Sequence, residues 1–369
     1  MKIYIFSHSL KVMGGGTSTN TTIKFMRESG HELDIFTSFN IFKKKIMTDK
    51  PDLVWHHNIL QIRKVSKLCK ELNVPVIATI NNLVSDVNGF HIIPDNNFGK
   101  PYLKCRFFKS WFIAFKQTRI HSPMHKLASI LFYPFRYHRR NQRIKVLNDI
   151  AGVIAISPTL ARLLKLNGVK RKIHVSPQPI DDDFLDKTKP IKFDKKTILY
   201  IGGGEPFKGI HVLIKAFNKL DIKNKQLLIA GEFRKDHKIN FNKYPNNIKF
   251  LGVIPKKELK QLYYSVDFLA FPSLWFEAFG RGWAEALACG CPVLTLKDRG
   301  GAADYLEHKK TGYLVDSEID SFTNGMKELL TNNKLRNTLS KNGLKYAKDN
   351  LLASVFVKRI NRIFKEILN

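Results

Sequence analysis

The stretch from Phe271 to Val293, FPSLWFEAFGRGWAEALACGCPV, decides the fold of this chain. It begins where an apolar strand over 266–271 ends. It then contains a polar loop, a helix of small and apolar residues over 282–289, and the start of a second strand over 292–296. Strand, loop, helix and strand in this order predict a βαβ unit. Open sheets built from such units bind ligands at the carboxyl ends of their strands, so the loop is a candidate binding site.

Two glutamates occupy this candidate site. Glu277 lies in the loop, and Glu285 lies eight positions later, inside the helix. Carboxylates at these two places can reach opposite ends of one elongated ligand. Two solvated helix carboxylates would have the same spacing, so the flanking sequence has to decide between the two interpretations.

The flanking sequence favours a functional pair. The spacing Glu277-x7-Glu285, set in FEAFGRGWAEALACGCPV, closely resembles the E-x7-E signature of the retaining glycosyltransferases of family GT4. This resemblance implies an α/β protein of the GT-B fold, in which two Rossmann-like, doubly wound domains face each other across a cleft. It also implies a nucleotide-sugar donor.

The resemblance further implies a role for each residue around the loop. Glu285 would accept hydrogen bonds from the ribose hydroxyls of the donor, and Glu277 would act at the hydroxyls of the donor sugar. The amides of Phe279, Gly280 and Arg281, at the N-terminus of the helix, would face the sugar and the phosphate groups.

A glycine turn after the strand over 197–201 resembles the phosphate loop of the same family. There, an Arg just after the strand and a Lys five residues later hold the donor diphosphate. Lys208 fits the second position and is expected to be catalytic, with an ordinary surface lysine as the alternative. The first position is Gly203, so the Arg is missing. The backbone amides of Gly203 and Gly204 replace its charge only in part, and Arg281 or a basic residue of the other domain is expected to compensate.

Other candidate residues follow from turns at strand ends. Gly15 and Gly16 lie in a glycine turn before the first helix, and in GT4 proteins this turn faces the cleft and its ligands. In the second half, Val253 follows a strand whose turn holds the nucleotide base through main-chain groups in GT4 relatives. Backbone recognition leaves little trace in a sequence, so uracil and guanine remain open.

Two polar residues of the first half are expected to line the acceptor side of the cleft. His56 and His57 are adjacent at the end of a strand, so they point to opposite faces and are not expected to chelate one metal. One of them, assigned here as His57, is expected to line the cleft while the other packs. Asn81 stands where GT4 relatives often carry a His. Its amide can bond a hydroxyl but cannot titrate.

The order of strands and turns predicts two domains, and the resemblance to GT4 proteins implies their roles and their connections. Residues 1–176 form a Rossmann-like acceptor-binding domain, with a basic, aromatic, helical insertion at about 99–145. A linker covers 177–194, and a Rossmann-like domain for the nucleotide-sugar covers 195–350. A last helix, 351–369, is expected to cross back to the first domain.

The charge of the chain indicates an anionic partner. It has 62 Lys and Arg against 31 Asp and Glu, a net charge of +31. The stretch from 96 to 148 has no acidic residue, and aromatic residues such as Trp111, Phe112 and Phe135 alternate with its basic ones. Such a pattern is typical of interfacial segments, so an anionic membrane surface is expected as a partner. Nucleic acid is the less favoured alternative, and some of the aromatic residues are expected to fill the core.

Composition also bears on compartment and metal use. No apolar run approaches the roughly 18 residues of a membrane-spanning helix. The start, MKIYIFSHSL, lacks the features of a signal peptide, so the expected location is cytoplasmic, peripheral on the inner face of the membrane. The four cysteines are expected to be buried thiols rather than a metal site. No Asp-x-Asp motif lies where a divalent cation would be expected to hold the diphosphate, and neither metal nor cofactor is expected.

The resulting prediction is a retaining glycosyltransferase. It would move a sugar from a UDP-sugar, or a GDP-sugar, to a lipid-linked or cell-surface glycan by a same-face, metal-independent substitution. Two alternatives remain. One is a GT-B enzyme of another reaction, such as a sugar-nucleotide epimerase or a phosphorylase. The other is a degenerate transferase that acts as a basic binding module.

Overall fold

The chain folds into two compact units, each built on one parallel sheet. The structure, a computed structural model, describes residues 1–7, 15–57, 59–81, 108, 131–233 and 244–369, and for residues 15–17 it describes the backbone only. The second unit contains Ile180–Val355. The first unit contains the described residues up to Pro179 and, in addition, Phe356–Asn369.

The first unit has a six-stranded sheet in which all neighbouring strands are parallel. Its strands are β1 (Lys2–Ser7), β2 (Glu32–Phe36), β3 (Leu53–His57), β4 (Val76–Ile80), β5 (Gly152–Ala155) and β6 (Ile173–Val175), in the order β2-β1-β3-β4-β5-β6. β1 and β3 are buried along almost their whole length, as expected for strands covered on both faces.

The helices of the first unit alternate with these strands. They are α1 (Gly15–Glu28), α2 (Phe39–Thr48), α3 (Ile62–Glu71), α4 (Tyr133–Asp149) and α5 (Pro158–Leu166). The start of α5 shows how the sequence sets a boundary. Ser157 adopts an extended conformation and its Oγ accepts a hydrogen bond from the Leu160 amide at 3.2 Å, while Pro158 lacks an amide hydrogen to satisfy.

The second unit repeats this arrangement with another six parallel strands. They are β7 (Lys196–Ile201), β8 (Lys225–Ala230), β9 (Ile248–Gly252), β10 (Phe268–Phe271), β11 (Val293–Leu296) and β12 (Tyr313–Val315), in the order β12-β11-β10-β7-β8-β9. The chain builds one half of the sheet outward from β7 and then the other half outward from β10. The point of reversal therefore lies between β7 and β10, which are direct neighbours.

Six further α-helices lie in the described residues. They are α6 (Ile210–Lys219), α7 (Lys256–Tyr263), α8 (Arg281–Ala288), α9 (Ile319–Thr331), α10 (Asn333–Asn350) and α11 (Ala353–Leu368). α11 places Phe356, Ile360 and Phe364 in the apolar core of the first unit. There the rings of Phe364 and Trp55 meet edge to face at 5.0 Å. The last helix of the chain thus packs on the unit that contains the N-terminal residues.

Several sequence predictions concern residues outside the described part. Of the basic insertion at 99–145, only Phe108 and residues 131–145 are described, and the latter include most of α4. Among the cysteines, Cys69, Cys289 and Cys291 are buried free thiols, as predicted, and Cys105 lies outside the described residues. Within the described part of the chain, no helix is both long and apolar enough to cross a bilayer.

Candidate active site

The charged residues of the candidate site gather at the reversal point of the second sheet. β7 is followed by the glycine turn at 202–204, and β10 is followed by the loop that carries Glu277. Because β7 and β10 are parallel neighbours, both connections emerge at the same edge of the sheet. This is the place where doubly wound sheets bind ligands.

Backbone contacts hold the two loops together. The Phe207 carbonyl accepts hydrogen bonds from the amides of Leu274 and Trp275, both at 2.9 Å. Gly209 has φ +77°, and a Cβ atom there would lie 2.0 Å from the Pro272 carbonyl oxygen. Only glycine permits this approach, so the sequence fixes the distance between the loops at that point.

Lys208 and Glu277 form an ion pair across these loops. Lys208 Nζ lies 3.0 Å from Glu277 Oε2 and 3.2 Å from Oε1, so it contacts both carboxylate oxygens. Ser273 Oγ donates to Glu277 Oε2 at 3.0 Å, and the Glu277 amide donates to the Arg299 carbonyl at 2.9 Å. The carboxylate is therefore oriented by three contacts, although Lys208 is separated from it by 69 positions.

Arg281 and Glu285 form a second ion pair on the first turns of α8. Arg281 Nε donates to Glu285 Oε1 at 3.1 Å, the i,i+4 spacing of one helix face. The Tyr263 hydroxyl lies 3.4 Å from Glu285 Oε2. Burial, and next the charge of Glu285, raises the pKa of Tyr263 well above its usual value, so this phenol stays protonated and able to donate.

The N-terminus of α8 carries the predicted amide groups. Gly280 is the N-cap residue of the helix, with φ +74° and no side-chain cap hydrogen bond. Phe279 is buried, and its carbonyl accepts a hydrogen bond from Trp283 Nε1 at 2.7 Å. The N-terminus of α8, where a helix favours an anion, therefore lies beside both ion pairs.

Glu205, directly after the glycine turn that follows β7, is a residue near the candidate site that the sequence analysis missed. The Gly203 carbonyl accepts a hydrogen bond from the Tyr200 hydroxyl at 2.9 Å. A Cβ atom at Gly203 would lie 2.0 Å from Oε2 of Glu205, so this carboxylate fills the space where a larger side chain would begin. Burial, and next the charges of Glu205 and Glu277, raises the pKa of Tyr200. The sequence signal that could have revealed Glu205 is its acidic side chain two positions after Gly203, where an Arg was expected.

Val253 stands apart from this cluster. It follows β9, the edge strand of the second sheet, and its side chain is 67% exposed. The Gly252 carbonyl beside it accepts a hydrogen bond from the Gly231 amide at 2.7 Å. Val253 follows β9, and the charged residues follow β10, with β7 and β8 between these two strands in the sheet. Val253 therefore lies at the same carboxyl edge of the sheet but away from the charged residues.

The candidate residues of the first unit are also found at a sheet edge. His57 ends β3 and Asn81 follows β4, and both line one pocket of the first unit. His56, on the opposite face of the strand, stacks on the Phe6 ring at 5.3 Å. Gly15 and Gly16 form the first turn of α1, where only the backbone is described.

Comparison with known proteins assigns the family. Residues 12–184 match the model described as Glycosyltransferase Family 4, and residues 181–346 match the model described as Glycosyl transferases group 1. Together the two matches run over nearly the whole chain. Their boundary falls near residue 180, where the chain passes from the first compact unit to the second. The chain therefore belongs to the GT4-type glycosyltransferases, as its sequence predicted.

Individual relatives support the same assignment. An uncharacterized glycosyltransferase of Methanocaldococcus jannaschii, MJ1607, is 31% identical over 172 residues, which are 44% of each chain. The chain matches about half the length of the curated relatives it is compared with.

Two solved structures share the fold. One is Anabaena HepE in complex with UDP and glucose, with a TM-score of 0.74 and 17% identity over 99% of this chain and 100% of that one. The other is sucrose-phosphate synthase of Thermosynechococcus elongatus, with a TM-score of 0.73 and 17% identity over 99% and 98%. The predicted GT-B fold is confirmed.

Proposed function

We propose that this protein transfers a sugar from a nucleotide-sugar, with a UDP-sugar favoured, to a hydroxyl group of a lipid-linked or cell-surface glycan. The observation that carries this proposal is the pair of carboxylates, each with a cationic partner, at the reversal point of the second sheet. The likeness to HepE, which was crystallised with UDP and with UDP-glucose, supports the choice of nucleotide.

The two ion pairs define how a donor would be bound. A diphosphate competes with Glu277 for Lys208, because both are anions that bind one ammonium group. Once released, Glu277 can accept hydrogen bonds from hydroxyls of the donor sugar. Glu285, one helical turn after Arg281, can accept hydrogen bonds from the ribose. Donor binding therefore exchanges the Lys208–Glu277 pair for a Lys208–diphosphate pair, while Glu277 gains hydroxyl donors.

The proposed reaction retains the configuration of the anomeric carbon. The bond from the anomeric carbon to the diphosphate breaks, a bond to the acceptor oxygen forms on the same face, and the acceptor proton passes to the departing phosphate oxygen. Lys208 and the amides at the start of α8 stabilise the charge that develops on the diphosphate. This route requires neither a protein nucleophile nor a metal ion.

Donor binding is tested first, with the purified full-length protein. UDP-, GDP- and ADP-sugars are compared by thermal shift, since a ligand that binds the folded state raises its apparent stability. A shift with UDP-sugars that is lost in Glu285→Ala is expected. No shift with any nucleotide-sugar, together with preferential binding of RNA, would instead indicate a degenerate basic module.

The reaction class is tested by incubating the protein with the identified donor, alone and with glycan acceptors. Product formation that depends on the acceptor, with the anomeric configuration of the donor by NMR, is expected. A donor that is changed without acceptor would indicate an epimerase. Transfer that requires added Mg²⁺ and is abolished by EDTA would contradict the metal-independent route.

We also propose that the first unit binds peripherally to an anionic membrane, as on the inner face of the cell membrane. Three large apolar side chains at the start of α4, Leu131, Phe132 and Phe135, are 57–66% exposed. The Arg139 guanidinium lies 5.1 Å from the centre of the Phe135 ring. Exposed aromatic residues among cations are typical of interfacial helices.

Membrane binding is tested by co-sedimentation with phosphatidylglycerol and phosphatidylcholine vesicles. The double variant Phe132→Ser/Phe135→Ser is expected to lose binding to the anionic vesicles. The matched control is Ile41→Ser, a 65% exposed apolar residue on α2 of the same unit. Equal binding of the double variant and the control would contradict the proposal.

A further inference from the structure

The pocket of the first unit is built from neutral polar groups. It lies at the carboxyl ends of β3, β4 and β5, with α1 and α11 as further walls. Its polar lining includes Thr19, Thr79, Asn81 and Gln178, and apolar side chains such as Ile154 and Phe356 form the remainder. Among the described residues that line it, none carries a formal charge at neutral pH.

Two of the lining residues have buried polar atoms without a hydrogen-bond partner. These atoms are Nε2 of His57 and Oγ of Ser176, in side chains that are 6% and 1% exposed. Most buried polar side-chain atoms in native proteins are bonded, because an unpaired group costs on the order of 1–3 kcal/mol. Two unpaired atoms on the wall of one pocket therefore indicate that something else bonds them.

His57 is held in a fixed place and charge state. Its ring meets the Trp55 ring edge to face at 4.5 Å, and its Nδ1 lies 3.4 Å from Thr19 Oγ1. Burial, and next the neighbouring His56, lowers the pKa of His57 to about 3. The imidazole is therefore neutral, and Nε2 can donate or accept one hydrogen bond according to its tautomer.

We propose that this pocket binds an uncharged, hydroxyl-bearing part of the acceptor, and that His57 and Ser176 select it against phosphorylated or acidic groups. The inference rests on the proposed transferase function and specifies its acceptor. A hydroxyl group both donates and accepts, so it can satisfy an imidazole nitrogen and a serine hydroxyl. A phosphate or carboxylate would be desolvated in this pocket without a cationic partner among the described lining residues, which is costly.

The experiment measures acceptor and donor binding separately in the full-length protein. Methyl α-D-glucopyranoside and N-acetylglucosamine serve as neutral probes, and glucose 6-phosphate and glucuronic acid serve as charged ones. Ligand-observed NMR reports binding of each probe without donor. UDP affinity is measured by calorimetry, and UDP release from the donor is measured with each probe as acceptor.

The variants are Ser176→Ala and His57→Phe, with His56→Phe as the matched control. His56 is the adjacent buried histidine, and it stacks on Phe6 outside the pocket lining. Each pocket variant is expected to raise the dissociation constant of the neutral probes, and their KM, by about five- to tenfold, the scale of one lost hydrogen bond. UDP affinity is expected to remain unchanged in all three.

Several outcomes would overturn the inference. Charged probes could bind as well as neutral ones, or no neutral probe could bind at all. The pocket could also hold only a structural water, in which case Ser176→Ala would change thermal stability and leave probe binding unaltered. Loss of UDP binding in the wild-type protein would instead refute the proposed function, while neutral-probe binding by NMR could still be observed.

Discussion

The two units use the same kind of sheet edge for opposite electrostatic purposes. At the reversal point of the second sheet, Lys208, Glu277, Arg281 and Glu285 form two ion pairs within one site. At the corresponding edge of the first sheet, the described pocket lining holds neutral groups, with His57 among them. Both units have a parallel sheet whose carboxyl edge can bind a ligand. This shared architecture therefore does not determine the chemistry of each site, which depends on the residues in the loops.

This difference matches the two substrates of the proposed glycosyl transfer. A nucleotide diphosphate brings charge that must be neutralised as the leaving group departs, so cations are needed on its side. An alcohol acceptor brings no charge, and a polar but uncharged pocket can orient it.

Replacing Lys208 by alanine should reduce turnover by on the order of a hundredfold or more, because the developing charge on the diphosphate loses its ammonium partner. The measurement is kcat for UDP release at saturating donor. Lys219→Ala is a suitable control, since Lys219 is an exposed lysine of the same unit that pairs with Asp320. Wild-type turnover in Lys208→Ala would remove this residue from the charged site.

Replacing Glu285 by alanine should weaken UDP binding by about tenfold to a hundredfold, the range for losing hydrogen bonds to a charged group. It also leaves Arg281 without its carboxylate partner. Calorimetric titration with UDP measures the effect. Glu258→Ala, at an exposed position on α7, is the comparison and should bind UDP normally. Equal affinities of the two variants would place the ribose site elsewhere.

The neutral side of the contrast can be tested through pH. The pKa of His57 is lowered to about 3 in the folded state, against about 6.5 in an unfolded chain, chiefly because the ring is buried. Between about pH 3 and pH 6.5, the unfolded chain therefore binds a proton at His57 that the folded protein does not bind. The stability contributed by His57 is present above about pH 6.5 and is lost as the pH falls toward 3, at up to about 1.4 kcal/mol per pH unit.

Urea denaturation at several pH values measures this dependence. His57→Phe should show a flatter loss of unfolding free energy below pH 6.5 than the wild-type protein does. Parallel curves for the two proteins would show that the imidazole is not held neutral in the first unit.

The smallest effect is expected at Glu205. Its carboxylate fills the space beside Gly203, the position at which the resemblance to GT4 proteins led us to expect an arginine. Glu205→Gln removes one negative charge next to the expected diphosphate, so UDP affinity should rise by about threefold, the scale of a partly screened charge pair. Isothermal titration of Glu205→Gln and wild type measures it. A loss of affinity would show that Glu205 supports the phosphate loop rather than opposing the ligand.

Local sequence patterns and one family motif together predicted the fold. Apolar strands that end in glycine turns predicted βαβ units, the resemblance around Glu277 and Glu285 implied two doubly wound domains, and both sheets are parallel and six-stranded. The Arg281–Glu285 pair could also have been expected, since i,i+4 residues share one helix face. These features depend on neighbours in sequence, and composition and periodicity report on such neighbours directly.

The contacts inside the sites were not predictable in the same way. Lys208 meets Glu277 across 69 positions because β10 returns to the side of β7. The Glu205 carboxylate occupies the space beside Gly203 because the turn after β7 folds back on itself. His57 and Ser176 share a pocket because β3 and β6 end at one edge of a sheet with two strands between them.

The sequence by itself determined that this chain forms two parallel, Rossmann-like sheets and that it belongs to a family of glycosyltransferases. Only the tertiary structure decided which charges are paired with each other and which polar atoms of the first unit lack a partner. The physical reason is that hydrophobic periodicity and turn chemistry act over a few residues. Ion pairing and burial depend on strands that are distant in the chain and adjacent in the sheet.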